Sequence, residues 1–534
     1  MRTLTLSIAL DGPEPRIVTV ESSYTSGFSG IQLVGSSSEL CRDGKERAKT
    51  ALEHMGIRLS HKRILINLAP SHIPKAANHF DLPIAVSLAC LTRDEPSVND
   101  PSQWLFAAEL SIDGSLRPCR ALVPMALCAL KAGLKGLILA QDQAYDGQTL
   151  QQLSSFRESP RIYYFSHLDQ VLRWLFWGES SFEEAKVSRT KDKAYLPNFG
   201  DMQLTPELEK LALTCALGRH SLLLRGSPGS GKSMFAYRLP SLISPLQGHE
   251  HLEILDLHSR LWEQLPQGLL EGHIPFRNPH HTASPQALLG TDQVPGELSL
   301  AHRGLLFLDE LPEFRRDVLE ALREPLELGY VQIARASRKW RWPAAPQFIA
   351  ACNNCPCGWF GSNYRLCRCS TSKLQHYWTK LSGPLLDRID LHYCMPERPI
   401  HKIASSTDST EHSQSSLLSE ALEKARDWLA TGPHSLADGL PWITTWEQLR
   451  DGSACSSKEW HELLSLLEAW HLSQRALIRV LRVSRTLANL DRSGKIRPQD
   501  VLQALRWQHI YLAKMYGEDA SNSQTREILR MQKS

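Results

Sequence analysis

Short unbroken apolar runs, each ending on a polar side chain, frame the middle of the chain: Ser221–Leu224, Leu305–Leu308 and Gln347–Cys352. Runs of this length without alternation read as buried strands of a parallel sheet. Lys232 to Leu239 reads as a helix stopped by Pro240. Toward the N-terminus, strand-like runs (Met1–Leu6, Ile64–Leu68, Leu137–Ala140) alternate with helical patterns, which predicts an α/β or α+β domain over residues 1–175. A polar, charge-mixed stretch near 180–193 marks a linker, 176–200. The central domain then covers 201–397, and a Ser/Thr-rich linker covers 398–416. From 417 to 515 the pattern is helical, most clearly in the amphipathic segment Gln474–Leu490, and 516–534 is a polar tail. Several domains are expected of 534 residues, which exceed a single core.

Composition narrows the class without changing this outline. Charged residues make up 22% and hydrophobic ones 42%, a soluble globular balance. No apolar stretch has the length of a membrane span, and the first residues read as a strand rather than a signal peptide. A cytoplasmic protein without a membrane partner is expected. The net charge of +3 neither demands nor excludes nucleic acid, so local patches must decide. Of the 12 cysteines, Cys90, Cys128 and Cys215 lie in apolar surroundings and read as reduced core residues.

The most specific chemistry follows the first apolar run. Gly226-Ser227-Pro228-Gly229-Ser230-Gly231-Lys232-Ser233 is a complete G-x-x-x-x-G-K-[ST] loop between a strand and a helix, the context that a phosphate-binding loop requires. Its backbone N–H groups and the helix N-terminus suit phosphates. Lys232 would reach the β- and γ-phosphates of ATP, and the Ser233 hydroxyl would bind Mg²⁺. Asp309 and Glu310 end the second apolar run, where Asp309 would hold the Mg²⁺ shell and Glu310 would act as general base toward water. Asn353 ends the third and could orient that water or sense the γ-phosphate. Arg388, in Asp387-Arg388-Ile389-Asp390, leaves two readings open: a cation lent to a neighbouring subunit's γ-phosphate, or a surface arginine paired with Asp387 or Asp390.

Two further clusters stand out. Cys355-x-Cys357 and Cys367-x-Cys369 are separated by nine residues, and four thiolates would complete a closed structural Zn²⁺ site. Free thiols and a disulfide pair are the alternatives. Arg335, Arg338, Lys339, Trp340 and Arg341 follow a strand-like segment and could grip DNA, the cations on phosphates and the indole on a base or sugar. The other reading is a charged edge strand with its tryptophans packed inward. Adjacent His280 and His281 seldom face one metal ion, so a structural or DNA-contact role is expected of them.

The order of these elements resembles the AAA+ ATPases and, more narrowly, the magnesium-chelatase-like branch known as the ComM/YifB family. Pro275–His281, Pro295–Gly304, Cys355–Gly358, Leu381–Leu391 and Ser473–Leu490 carry the likeness over nearly the whole chain. The resemblance implies a Lon-protease-like α+β domain, an AAA+ P-loop parallel-sheet domain and a C-terminal helical lid. It implies a homo-hexameric ATPase, using ATP and Mg²⁺, that drives branch migration as a DNA translocase or helicase in natural transformation or recombination. Its partners would be single-stranded or branched DNA and recombination proteins. By the same resemblance Asn353 takes the place of the sensor-1 residue, Arg388 of the arginine finger and Arg475 of the sensor-2 arginine, with Arg485 a second candidate. The basic hairpin would point into the ring's pore. Ile84 and Val123 stand where Lon carries its serine and lysine, so proteolysis is not expected. The departures are Leu204-Thr205 in place of a Gly-Gln pair, Asn354 after the sensor and Gly290-Thr291. The alternative is a chelatase-type motor subunit that remodels a partner enzyme.

Overall fold

The unbroken apolar runs are the inner strands of a five-stranded sheet. In the computed structural model, the described residues are 2–150, 161–179, 197–397, 411–431 and 446–508, apart from isolated positions within them. The sheet runs in the order Phe276–Arg277, Leu305–Leu308, Gln347–Cys352, Leu222–Arg225, Leu391–Cys394. Every neighbouring pair is parallel. Alternation splits each inner strand between two cores. Leu222, Leu224, Leu305, Phe307, Ile349 and Ala351 face one core, while Leu223, Leu306, Leu308, Phe348 and Ala350 face the other. Both faces are therefore covered, and the run pattern is continuous rather than alternating.

The N-terminal part is a seven-stranded mixed sheet, ordered Gly30–Val34, Arg63–Ala69, Glu14–Thr25, Arg2–Asp11, Trp104–Phe106, Gly136–Ala140, Arg161–Phe165. Helices Glu39–His54 and Asp81–Leu91 fill one face. Helix Leu122–Lys131 fills the other and shares a core with the five-stranded sheet. Helix Gly248–Ser259 packs directly on it. Polar ties support this contact: Asp146 accepts from the Leu265 N–H at 2.8 Å, and Arg260 donates to the carbonyls of Gly12 and Pro13 at 2.7 Å each. Ile84 and Val123 are completely buried, one in each helix layer.

Helix Gln474–Leu490 has the bounds that the amphipathic pattern gives it, and its apolar side joins helix Pro206–Gly218 in the first core. The preceding helix starts earlier than its composition suggests, at Glu411 rather than 417. Leu418, Leu422 and Ala425 are buried, and this packing extends the helix back through serines that alone read as linker. The linker calls over 180–193 and 398–410 and the tail 516–534 lie outside the described residues. Among the described residues no helix is long and apolar enough to cross a membrane.

Candidate nucleotide site

Strand Leu222–Arg225 ends in the glycine loop, and helix Lys232–Arg238 begins at once behind it. Gly229 and Gly231 adopt φ of +76° and +90°, which a side chain would strain. The turn folds the loop around Lys232, which is buried and whose ammonium donates to the carbonyls of Gly226 (3.0 Å) and Ser227 (2.9 Å) and to Asn353 Oδ1 (3.2 Å). Burial pushes the pKa of this lysine down. The Ser233 hydroxyl donates to Asp309 Oδ2 at 2.7 Å. Lys232, Ser233, Asp309 and Asn353, distant in sequence, thus meet at the C-terminal ends of three adjacent parallel strands.

Glu310 follows at a left-handed φ of +53°, and its N–H donates to Asp309 Oδ1 at 2.9 Å. Its exposed carboxylate lies 3.8 Å from His281 Nδ1. No motif or spacing pairs these two. The Ser230 hydroxyl is buried without a protein hydrogen-bond partner. Met202 and Met395 would meet a Cβ at Gly231 at 3.4 and 3.8 Å, and so wall the loop with apolar surface. An unsatisfied hydroxyl in the loop, a lysine held only by neutral acceptors and a serine–aspartate pair form a donor set that fits a triphosphate with Mg²⁺.

The arginines occupy the other rim of the same sheet, at the N-terminal ends of its strands. Arg388 precedes strand Leu391–Cys394, which is parallel to and in register with Leu222–Arg225. Its carbonyl accepts from Ser221 Oγ at 3.2 Å, just ahead of the strand that ends in the glycine loop. The rise of a strand puts Ser221 and Gly226 roughly 16 Å apart, beyond the length of an arginine side chain. The Arg388 guanidinium pairs with Glu327 and donates to the Pro384 carbonyl at 2.7 Å. Arg475 pairs with the same Glu327 at 2.9 Å. The two candidate arginines are thus together, and neither contacts Lys232 of its own chain. Neither Asp387 nor Asp390 is the acid on Arg388.

Helix Gln474–Leu490 builds this rim with a stripe at helical spacing. Arg479 donates to the Ile389 carbonyl at 2.8 Å, and Arg482 lies 3.7 Å from Asp390. The result is a cleft of about 280 Å³ where Arg219, Arg388, Arg475, Arg479 and Arg482 outnumber the acids. Asp390 is buried beneath it. Burial opposes its charge, but Arg482, His220 and the Ser221 N–H outweigh burial and hold its carboxyl well below the usual range. Burial lowers the His220 pKa, so Arg482 is the cation that balances Asp390 near neutrality. Arg485 does not belong to this rim. It is buried, and donates to Asn489 Oδ1 at 2.7 Å and to the carbonyls of Gly494 and Ser493 at 3.0 and 2.9 Å. It lies inside the helical domain, apart from Arg388 and Arg475.

The basic segment is a two-stranded hairpin, Tyr330–Arg335 with Arg338–Pro343. Lys339 and Arg341 are exposed on one face. The tryptophans share the other face, as strand alternation requires. Trp342 is buried, donates to the Thr291 carbonyl at 2.8 Å and lies under Arg260 at 5.4 Å. Trp340 lies against the Gly12 turn, so closely that a Cβ there would come within 2.1 Å of its ring. Trp340 is therefore a domain contact here and not an open platform for a base. The side chains of Arg335 and Arg338 lie outside the described residues.

The four clustered cysteines converge, with all four sulfurs within 4.8 Å of one another. Cys355 and Cys357 sulfurs are 3.3 Å apart, and the Cys367 sulfur is 3.7 and 3.6 Å from them. A disulfide needs about 2.0 Å, and all four thiols are free. The cluster could hold a metal ion.

The chain also matches known families along its length. Residues 201–403 match the family described as magnesium chelatase, subunit ChlI; residues 20–143 match subunit ChlI of Mg-chelatase; and residues 444–508 match the ChlI C-terminal family. Competence protein ComM of Haemophilus influenzae is 34% identical, with 92% of this chain and 95% of that protein covered. The uncharacterized protein YifB of Escherichia coli is 32% identical, with 92% and 94% covered. An uncharacterized protein of Mycobacterium tuberculosis is 31% identical, with 92% and 95% covered. The glycine loop, the strand-end acids and the parallel sheet agree with these matches, and the chain belongs to the ComM/YifB family of magnesium-chelatase-like AAA+ ATPases.

Proposed function

We propose that the protein is an ATP-driven translocase on branched DNA, working as a homo-hexameric ring whose arginines act across subunit boundaries. One observation supports the ring: the glycine loop and Arg388 lie at opposite ends of two adjacent parallel strands. A protomer cannot serve its own triphosphate with Arg388 or Arg475, whereas a neighbour turned by one ring step can receive them. The arginine-rich cleft supplies the charge that such a site needs.

Within a protomer the roles follow from the contacts. The loop N–H groups and Lys232 bind phosphates once Lys232 leaves the Gly226 and Ser227 carbonyls. Ser233 and Asp309 would hold Mg²⁺, which would neutralise phosphate charge. Glu310 takes a proton from water after separating from His281, and Asn353 aligns the water. Cys355, Cys357, Cys367 and Cys369 would hold Zn²⁺, which would supply a structural cross-link. The N-terminal domain, with Ile84 and Val123 buried at the places that proteolysis would need for serine and lysine, is a tier of the ring. DNA as the substrate rests on the exposed Lys339 and Arg341 of the hairpin and on the likeness to a relative named as a competence protein.

The test is ATP turnover with no DNA, single-stranded DNA, duplex and a four-way junction. Stimulation by the junction, with ATP-dependent movement of its branch point, supports the reading. Turnover indifferent to every DNA favours a motor that remodels a partner enzyme, as the magnesium-chelatase matches would suggest.

A further inference from the structure

We infer that the four-cysteine centre braces the phosphate-binding loop, so that its metal and the nucleotide bind cooperatively. This rests on the zinc reading above and adds a coupling that the reading does not require.

The metal geometry comes first. Tetrahedral Zn²⁺ with bonds of about 2.3 Å places its sulfurs about 3.8 Å apart. The observed separations of 3.3, 3.7 and 3.6 Å are near that spacing without any bond between sulfurs. The Phe360 N–H donates to Cys355 Sγ at 3.3 Å and the Cys369 N–H to Cys367 Sγ at 3.4 Å. Backbone donors aimed at sulfur stabilise thiolates, the form that binds a metal.

The connection to the nucleotide site is direct on both flanks. Gly358, next to Cys357, has φ of +84° and touches the ring of Pro228 in the glycine loop, where an added Cβ would stand 2.5 Å from Pro228 Cγ. Asn353, which accepts from Lys232, is two residues before Cys355. Asn354 donates to the Phe360 carbonyl inside the cysteine loop at 3.1 Å. Helix Thr371–Thr379, which follows Cys369, returns Tyr377 to the Asn353 carbonyl at 3.3 Å and Trp378 to the Asn354 carbonyl at 3.2 Å. The chain from Asn353 to Trp378 is a closed circuit, and the four sulfurs meet near its centre. A metal there fixes Gly358 against Pro228 and Asn353 against Lys232. Without it, both supports of the phosphate site depend on the hydrogen bonds of Asn354, Tyr377 and Trp378 alone. Linkage then requires the nucleotide to tighten the metal by the same factor that the metal tightens the nucleotide.

The test uses the intact, metal-loaded protein. Elemental analysis should find one zinc per chain, and none establishes that the zinc reading itself is wrong. Zinc release to a chromophoric chelator is then timed with no nucleotide and with a non-hydrolysable ATP analogue. Slowing by about fivefold or more is expected, within the usual range of coupling. Gly358→Ala keeps all four cysteines; it should retain zinc yet weaken binding of a fluorescent ATP analogue and lose the slowing. Bound zinc whose release is indifferent to nucleotide, in the wild type, overturns the brace while leaving the zinc site standing. The release measurement needs no folded metal-free protein, so unfolding of a stripped sample cannot mask the result.

Discussion

Asn in place of Asp390 isolates the charge that anchors the arginine rim. In the wild type, Asp390 Oδ2 accepts from the Ser221 N–H and hydroxyl, both at 3.1 Å, and lies 3.5 Å from His220 Nδ1, while Oδ1 is 3.7 Å from Arg482. Asn is nearly the same shape and keeps an acceptor for Ser221. It removes the negative charge opposite Arg482, whose side chain is only 13% exposed. Removing one partner of a buried pair costs about 3–5 kcal/mol, and the retained Ser221 bond argues for the lower end, about 3 kcal/mol. That is roughly two orders of magnitude in a local opening equilibrium. Since a chain of several domains need not unfold in one step, native-state hydrogen exchange is the suitable assay. Amides of Leu222–Arg225 and of helix Gln474–Leu490 should lose that protection together, and Arg482→Met added to Asp390→Asn should restore most of it. A loss under about 1 kcal/mol, or no rescue by Arg482→Met, would refute the view that one buried charge pair ties the helical domain to the sheet.

Other consequences are simpler to read. Lys232→Ala should reduce ATP hydrolysis by at least about a hundredfold, because among the described residues no other cation contacts the loop's carbonyls. Lys339→Glu combined with Arg341→Glu should weaken DNA binding and flatten its dependence on log[salt] by about two phosphate contacts; an unchanged slope moves the DNA path away from the hairpin. Burial lowers the pKa of His79 and of His258 to about 4, and also lowers that of His220. Their stability contribution is full above the unfolded value of about 6.5 and is lost as pH falls toward 4, because the unfolded chain takes up protons first. The urea midpoint should therefore decline from pH 6.5 to pH 4, and His258→Asn should lessen the decline. Asp390, held low, adds its own loss only below about pH 4.

What could be read from the sequence was what local rules determine. The strand–loop–helix around Lys232 and the acids after Leu305–Leu308 needed only a run of apolar residues and a motif. Helix Gln474–Leu490 followed from its periodicity, and the cysteine spacing foretold a cluster. The rest depended on partners far away in the chain. Alternation told that Trp340 and Lys339 face opposite ways, but only the Gly12 turn from the N-terminal domain decides which face is covered. The resemblance offered Arg475 and Arg485 on one helix. The burial of Arg485 against Asn489 comes from packing that a single helix does not reveal. Glu327 as shared partner of Arg388 and Arg475 carried no motif, nor did His281 beside Glu310. Asp390 had a faint signal, an acid directly before an apolar strand, which fits a surface turn equally well.

The central claim is that one subunit's triphosphate is hydrolysed with an arginine from the next, and mixing two inactive variants tests it most directly. Lys232→Ala retains Arg388, and Arg388→Ala retains the glycine loop. Each alone should bind DNA but fail to turn over ATP. Co-assembled at equal ratio, they form interfaces that join an intact loop to an intact arginine, and ATP hydrolysis should reappear in proportion to those interfaces. A mixture as inactive as its components, although mass measurement shows mixed rings, would contradict the account.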